Sequence, residues 1–248
     1  MMEMTTDTIN RLHELSLEAG KGKVIEVDGR HYAIDGHGDV RLIKPQNLAD
    51  NTVEVTTLMG VVDLVKSLEE RKSQNLYVQV KSPTRVAVFG HLDDYGRRES
   101  LVTAKAMTPD INYSRFLDQE QMNISLQSQF EETKDRELLL KVIGNLKEEA
   151  VRNASDDGVS QAVTIKSGVA TVSDVKVPNP VGLAPYRTFN EVTQPTSNFV
   201  FRMREGMQSA IFEADGGAWE LEAMSNVKDF LTKNLEDEIE TGHVVVIA

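Results

Sequence analysis

A proline-rich crossing limits most strongly what this chain can fold into. Three prolines fall within the eight residues Pro178–Pro185. Proline fixes the backbone φ angle and has no amide donor, so the segment is predicted to be extended but unable to form a central strand. Alternating apolar residues predict strands on both sides of it, at 159–177 and 199–213. We therefore expect hairpins flanking a packed crossing, with Tyr186 and Phe189 buried.

Hydrophobic periodicity elsewhere predicts a mixture of helices and strands. Helical spacing is found at 5–19, 58–68, 135–152 and 218–235, and strand-like alternation at 23–34, 76–81, 85–104, 121–131 and 244–248. Asp28-Gly29 favours a type I′ hairpin turn, and Thr56 or Thr57 can cap the helix at 58–68. The fold class is thus expected to be α+β, with mainly antiparallel sheets, projecting β-hairpins and about four helices.

A break in the pattern at 107–114, which contains Pro109, predicts a domain boundary. The expected domains are an N-terminal α+β region with hairpins, residues 1–110, and a C-terminal α+β domain, residues 111–248.

Composition restricts the compartment and the partners. The chain has no cysteine, which removes disulfides, thiolate metal sites and thiol nucleophiles. Its net charge of −12 disfavours nucleic acid as a partner, because cations must replace the counterions of the phosphates. The apolar runs are too short to span a membrane, so we expect a soluble, cytoplasmic protein with no membrane partner.

His31, Asp35, His37 and Asp39 form a candidate metal site, because imidazole and carboxylate groups bind zinc or iron. The intervening glycines support a different interpretation, in which the two aspartates only form a turn. A metal-dependent hydrolase using His31, His37 and His91 is the corresponding function.

No catalytic motif is present. The chain has no phosphate-binding loop, dinucleotide fingerprint or serine nucleophile elbow, so we expect no catalytic residues and no cofactor. The hairpin tip at 93–98 carries two acids, an aromatic ring and two arginines, and Tyr95, Arg97 and Arg98 are the predicted interface residues. The apolar strand at 244–248 either pairs with another subunit or closes a sheet within its own chain.

Three segments carry a family resemblance: 133–147 (TKDRELLLKVIGNLK), 178–195 (PNPVGLAPYRTFNEVTQP) and 212–219 (FEADGGAW). Together they resemble the uncharacterised phage and prophage family typified by the enterobacterial protein YfdQ. The resemblance implies a phage or prophage accessory protein made in the bacterial host, and it supplies no catalytic residues.

These observations leave three functional hypotheses. The first is a non-enzymatic accessory protein that acts through protein–protein contacts, as a homo-oligomer or by binding a host protein. The second is a self-assembling, capsid-like shell protein, by analogy of fold alone. The third is the metal-dependent hydrolase.

Overall fold

The computed structural model describes residues 10–11, 14–15, 18, 23–44, 48–67, 75–145, 155–156, 161–167 and 171–248. The predicted α+β class, with mainly antiparallel sheets, is confirmed. The chain divides into two compact units, Met1–Leu48 with Asp94–Arg97, and Ala49–Asp93 with Arg98–Ala248. The predicted domains, residues 1–110 and 111–248, stay a prediction.

The first unit contains a three-stranded antiparallel sheet in the order β1-β2-β3. Its strands are Lys23–Val27, Arg30–Ile34 and Val40–Leu42. Asp28 and Gly29 have φ angles of 51° and 73°, as the predicted type I′ turn requires at both central residues. Residues 10, 11, 14, 15 and 18 are helical, and they are the part of the predicted first helix that the structure describes.

A five-stranded sheet in the order β14-β5-β6-β7-β4 is the centre of the second unit. Its strands are β4 Val53–Val55, β5 Leu76–Ser82, β6 Arg85–Leu92, β7 Arg98–Lys105 and β14 Val244–Ile247. Helices α1, Leu58–Ser67, and α4, Ala218–Asn234, pack on one face and bury a core of valine and leucine side chains. Alternation explains this burial, since Val78, Val86 and Val88 all point to that face.

A second core lies between helices α2 and α3 and an antiparallel sheet in the order β11-β12-β13. These elements are α2 Gln119–Gln129, α3 Lys134–Gly144, β11 Val181–Leu183, β12 Ser197–Arg204 and β13 Gln208–Glu213. The remaining elements are a sheet of β8 Ser155–Asp156, β9 Gln161–Ser167 and β10 Thr171–Val177, and the short helix α5, Glu236–Glu240. The predicted end of α3 at 146–152 lies outside the described residues.

The prediction of a strand at 121–131 is wrong, because this segment forms helix α2. Asp118 caps the helix, and its Oδ1 accepts a hydrogen bond from the Gln121 amide at 2.8 Å. Met122 and Leu126 are buried four residues apart on one face, whereas Ile124, which shares their parity, is 57% exposed. The capping contact and the burial of one helical face override the alternation of the sequence.

Within the proline crossing, Val181–Leu183 is extended and forms β11, whereas residues 179–180 form a bend. In the described part of the chain β11 is an edge strand that pairs with β12 alone. Phe189 is buried, with 1% of its surface exposed, and it belongs to the core of the five-stranded sheet. Tyr186 is only half-buried, so the expectation of burial holds for Phe189 and only in part for Tyr186.

The C-terminal strand β14 pairs in parallel with β5, from Val244↔Leu76 to Ile247↔Gln79. The sequence left two alternatives for this strand. In the structure it completes a sheet of its own chain. Among the residues that the structure describes, no helix is long and apolar enough to cross a membrane.

Candidate functional site

Arg187, on the crossing, is the centre of a buried polar cluster and is only 8% exposed. Its Nη1 donates a hydrogen bond to Glu213 Oε1 at 2.9 Å, and its Nη2 donates to Ser197 Oγ. Nη2 also lies 4.0 Å from Asp215 Oδ2. The guanidinium group covers the ring of Trp219, 3.8 Å from its centroid, a cation–π contact.

The electrostatic environment of the cluster shifts the pKa values of its members. Burial raises the pKa of Tyr113 to about 12, and the neighbouring Arg187 only partly opposes that shift. Burial also lowers the pKa of Arg187, against the charges that surround it. For Asp215, burial acts to raise the pKa, but hydrogen bonds from Ser197 and the Gly217 amide reverse its effect, and the pKa lies below its usual value.

We interpret the Arg187 cluster as structural. The acceptors of the guanidinium group come from the start of β12 and the end of β13, and its aromatic partner comes from the first turn of α4. The arginine thus ties the crossing to two strands and a helix. Perturbed pKa values also occur in such ion-pair networks, so by themselves they do not indicate catalysis.

A cleft of about 830 Å³ opens beside the ends of β4 and β7. Its walls are formed by two short stretches, 54–56 and 105–108, and by two further side chains, Arg85 and Thr103. Arg85 and Lys105 face each other across β6 and β7. This cleft combines cationic, hydroxyl and apolar groups and is the better candidate for a binding site.

A smaller cavity of about 250 Å³ continues from the cleft, since Thr56 and Met107 line both. It lies at the N-terminal end of α1. The Glu191 carboxylate caps this end of the helix. Its Oε2 accepts a hydrogen bond from Leu58 N at 2.9 Å, and its Oε1 accepts one from Met59 N at 2.8 Å.

The predicted metal candidates do not assemble into a site. Asp35 Oδ1 accepts hydrogen bonds from the amides of His37, at 2.9 Å, and Asp39, at 3.0 Å, as a turn-forming aspartate does. His31 points to Glu26, with 3.9 Å between Nε2 and Oε2. Within the described part of the chain, no three histidine, aspartate or glutamate side chains are grouped closely enough to hold a metal ion.

The predicted interface residues lie at and beside the tip of the β6–β7 hairpin. The Arg97 guanidinium lies 5.5 Å from the centroid of the Tyr95 ring. Arg98, in β7, lies over the rings of Tyr77 and Phe89, and its Nη1 donates a hydrogen bond to the Gly90 carbonyl at 3.0 Å. Arg98 therefore packs on its own sheet. The role of all three residues in an interface stays a prediction.

Sequence reasoning missed both the Arg187 cluster and the Arg85–Lys105 pair. A single arginine within the apolar stretch Leu183–Phe189 is a signal of a buried charge that needs partners. The Arg85–Lys105 pair depends on the register of β6 and β7, and the hairpin pattern alone does not fix that register because the ladder contains irregularities near Phe89.

Comparison of the chain with protein-family models, with curated proteins and with solved structures finds no match to any of them. The resemblance to the YfdQ-like phage and prophage family therefore stays a prediction.

Proposed function

We propose that this chain is a phage or prophage accessory protein of the bacterial cytoplasm that acts through protein–protein contacts and assembles with copies of itself. The observation that carries the proposal is a partly exposed apolar strip on the five-stranded sheet. We define the apolar strip by Tyr77, Phe89, Val245 and Ile247.

The apolar strip lies on the face of the sheet opposite α1 and α4. Val245, Tyr77 and Phe89 are in register across three strands, and the two rings stack with 5.8 Å between their centroids. Val245 is 41% and Ile247 38% exposed, and no member of the strip belongs to either hydrophobic core. Contiguous apolar surface of this kind commonly marks a contact with another protein.

The strip ends at the free edge of β14, which supports a second copy as its partner. The Leu76 amide donates to the His243 carbonyl at 2.8 Å, and hydrogen bonds alternate along a parallel strand. Val246 therefore directs its N–H and C=O away from β5, toward the edge where the sheet has no further strand in the described chain. A two-fold axis places the same edge of two copies side by side, so each supplies the groups that the other needs.

Arg98 lies beside the strip, 4.9 Å from the centroid of the Tyr77 ring. Arginine is enriched in protein interfaces because it offers several donors on a flat, weakly hydrated group. A contact through the strip would use the surface of Arg98, which was predicted as an interface residue.

Light scattering and native mass spectrometry on purified protein test the proposal. We expect the wild type to associate, and Val245→Lys/Ile247→Lys to be monomeric because each copy would place two charges in the contact. Leu221→Lys is the matched control, since Leu221 is 76% exposed on α4, outside the strip. Circular dichroism should show that all three proteins are folded.

Three other outcomes of this experiment would favour different hypotheses. A monomeric wild type would refute self-assembly and leave the binding of a host protein. Dissociation by Tyr95→Ala/Arg97→Ala, with no effect of Val245→Lys/Ile247→Lys, would move the contact to the hairpin tip. A large closed particle would favour the capsid-like shell.

A further inference from the structure

We propose that the cleft beside the ends of β4 and β7 binds a small phosphate monoester. Arg85 and Lys105 hold the phosphate, and the organic part of the ligand packs against Met107. This site is separate from the apolar strip, and binding there does not depend on self-assembly.

The cleft exists because two parallel strands diverge. β4 and β7 pair in parallel from Val53↔Val102 to Val55↔Ala104. After β4 the chain turns into α1, whereas after β7 the Ala106 amide donates a hydrogen bond to the Thr84 carbonyl at 3.0 Å and keeps the chain beside β6. In open α/β sheets, ligands bind in a comparable crevice outside the carboxyl ends of parallel strands.

Two unpaired cations lie in this crevice. Arg85 and Lys105 are exposed and directly opposite each other in an antiparallel pair, where like charges destabilise the sheet. Neither forms an ion pair or side-chain hydrogen bond with any residue that the structure describes. Among the described residues, Glu54 is the one acidic residue of the cleft wall, and it is in register with Thr103 rather than Lys105.

The charge and geometry of the pair favour a phosphate dianion. A phosphate monoester carries nearly two negative charges at pH 8, which matches one arginine and one lysine. The arginine fork can bind two phosphate oxygens while the lysine acts as a point charge. In a protein with a net charge of −12, this local pair of uncompensated cations is a place where the potential favours an anion.

The other walls determine the rest of the ligand. Met107 is 75% exposed, and Val55 and Ala106 extend its apolar surface. Glu54 and three threonine hydroxyls can bind polar groups of the ligand. The volume of about 830 Å³ lies within the range of roughly 300–1,000 Å³ that small-molecule sites occupy.

The nearby end of α1 does not compete for the phosphate. A free helix N-terminus attracts anions, but here the Glu191 carboxylate already accepts hydrogen bonds from the Leu58 and Met59 amides. The anion is therefore directed to the Arg85–Lys105 end of the cleft.

Calorimetric titration with phenyl phosphate at pH 8 and low salt tests the site. We expect saturable binding that Arg85→Gln and Lys105→Gln each weaken about tenfold or more, the loss expected for a charge-assisted hydrogen bond. Lys228→Gln, which removes an exposed charge of α4 outside the cleft, should bind as the wild type does. Absence of saturable binding, or equal weakening by all three variants, would refute the proposal.

Further ligands and one further variant separate the two halves of the site. Met107→Ser should weaken phenyl phosphate but not inorganic phosphate, because only the former has an apolar part. Benzoate should bind more weakly than phenyl phosphate, since it has a single charge. Equal binding of benzoate would refute the choice of phosphate, and an unchanged affinity of Met107→Ser for phenyl phosphate would refute the apolar contact.

The melting temperature of the protein without ligand tests whether Arg85 lacks a stabilising ion pair. Arg85→Gln removes a like-charge contact and no ion pair, so it should melt at or above the temperature of the wild type. A lower melting temperature would show that Arg85 has a stabilising partner and would refute the basis of the site.

Discussion

Phe189→Ala should destabilise the second unit more than most other single substitutions. Phe189 is 1% exposed in the core beneath the five-stranded sheet, so truncation removes the ring from a closely packed site. Such a change loses the transfer free energy of the ring and leaves a cavity, about 3–5 kcal/mol together. For a unit of this size, the melting temperature should fall by about 6–20 °C.

Urea unfolding followed by circular dichroism measures this loss. The midpoint should shift to lower urea with little change in the slope, because the folded topology is retained. Phe189→Leu keeps most of the buried volume and should cost less than about 1.5 kcal/mol. Tyr186→Ala, at a half-buried position of the same crossing, should cost less than Phe189→Ala. A neutral Phe189→Ala would show that the crossing is a free surface loop.

Two further predictions concern α2 and the Arg187 cluster. Asp118→Ala removes the cap of α2 and should lower the free energy of unfolding, measured by urea unfolding, by about 1 kcal/mol. Asp110→Ala is the control and should be near neutral, because the Asp110 side chain makes no hydrogen bond among the described residues. The pKa of Tyr113 is raised from 10.0 to about 12 in the folded protein, so as the pH rises its hydroxyl loses a proton in the unfolded chain first. The free energy of unfolding should therefore fall between pH 10 and pH 12. Tyr113→Phe should lose less stability over that interval, as measured by urea unfolding at each pH, and an identical pH dependence would contradict the burial of the hydroxyl.

The sequence was sufficient where a local pattern and the final packing agree. The Asp28-Gly29 turn follows from two positions that must accept positive φ angles, and the structure has 51° and 73° there. The helix predicted from the apolar spacing at 58–68 is found at Leu58–Ser67, because its apolar stripe is the one that the sheet buries. β11 lies between Pro180 and Pro185 and is an edge strand, as the prolines of the crossing predict.

The sequence was insufficient in two situations. In one, the apolar spacing fits both a helix and a strand; in the other, the deciding contact joins segments that are distant in the chain. The alternation at 121–131 fits a strand, but Met122 and Leu126 also fit one helical face, and the Asp118 cap favours the helix. The partners of Arg187 lie on segments that only the tertiary fold brings together. The same holds for the Arg85–Lys105 pair, which no spacing within one strand can indicate.

The N-terminal end of α1 is capped both by a neighbouring residue and by a residue that is distant in the chain. Thr57, one of the two predicted caps, accepts a hydrogen bond at its Oγ1 from Gly60 N at 3.1 Å. The first two amides of the helix instead donate to Glu191, 133 residues after Leu58 in the chain. Sequence preferences for caps consider only the residues beside the helix, so Glu191 was not foreseeable from them.

Glu191 stabilises α1 in two ways that substitutions can separate. Glu191→Gln keeps an acceptor oxygen but removes the charge that favours the helix N-terminus, so it should cost about 0.3–1 kcal/mol. Glu191→Ala removes both acceptors and should cost about 1–2 kcal/mol, whereas Asn190→Ala, at the exposed neighbouring position, should be near neutral. Because salt screens the interaction of a partly exposed charge with the helix, the loss in Glu191→Gln should shrink in 1 M salt, where the screening length is about 3 Å. If urea unfolding gives the same loss at low and high salt, the charge of Glu191 has no part in holding the helix, and the carboxylate acts only as a pair of acceptors.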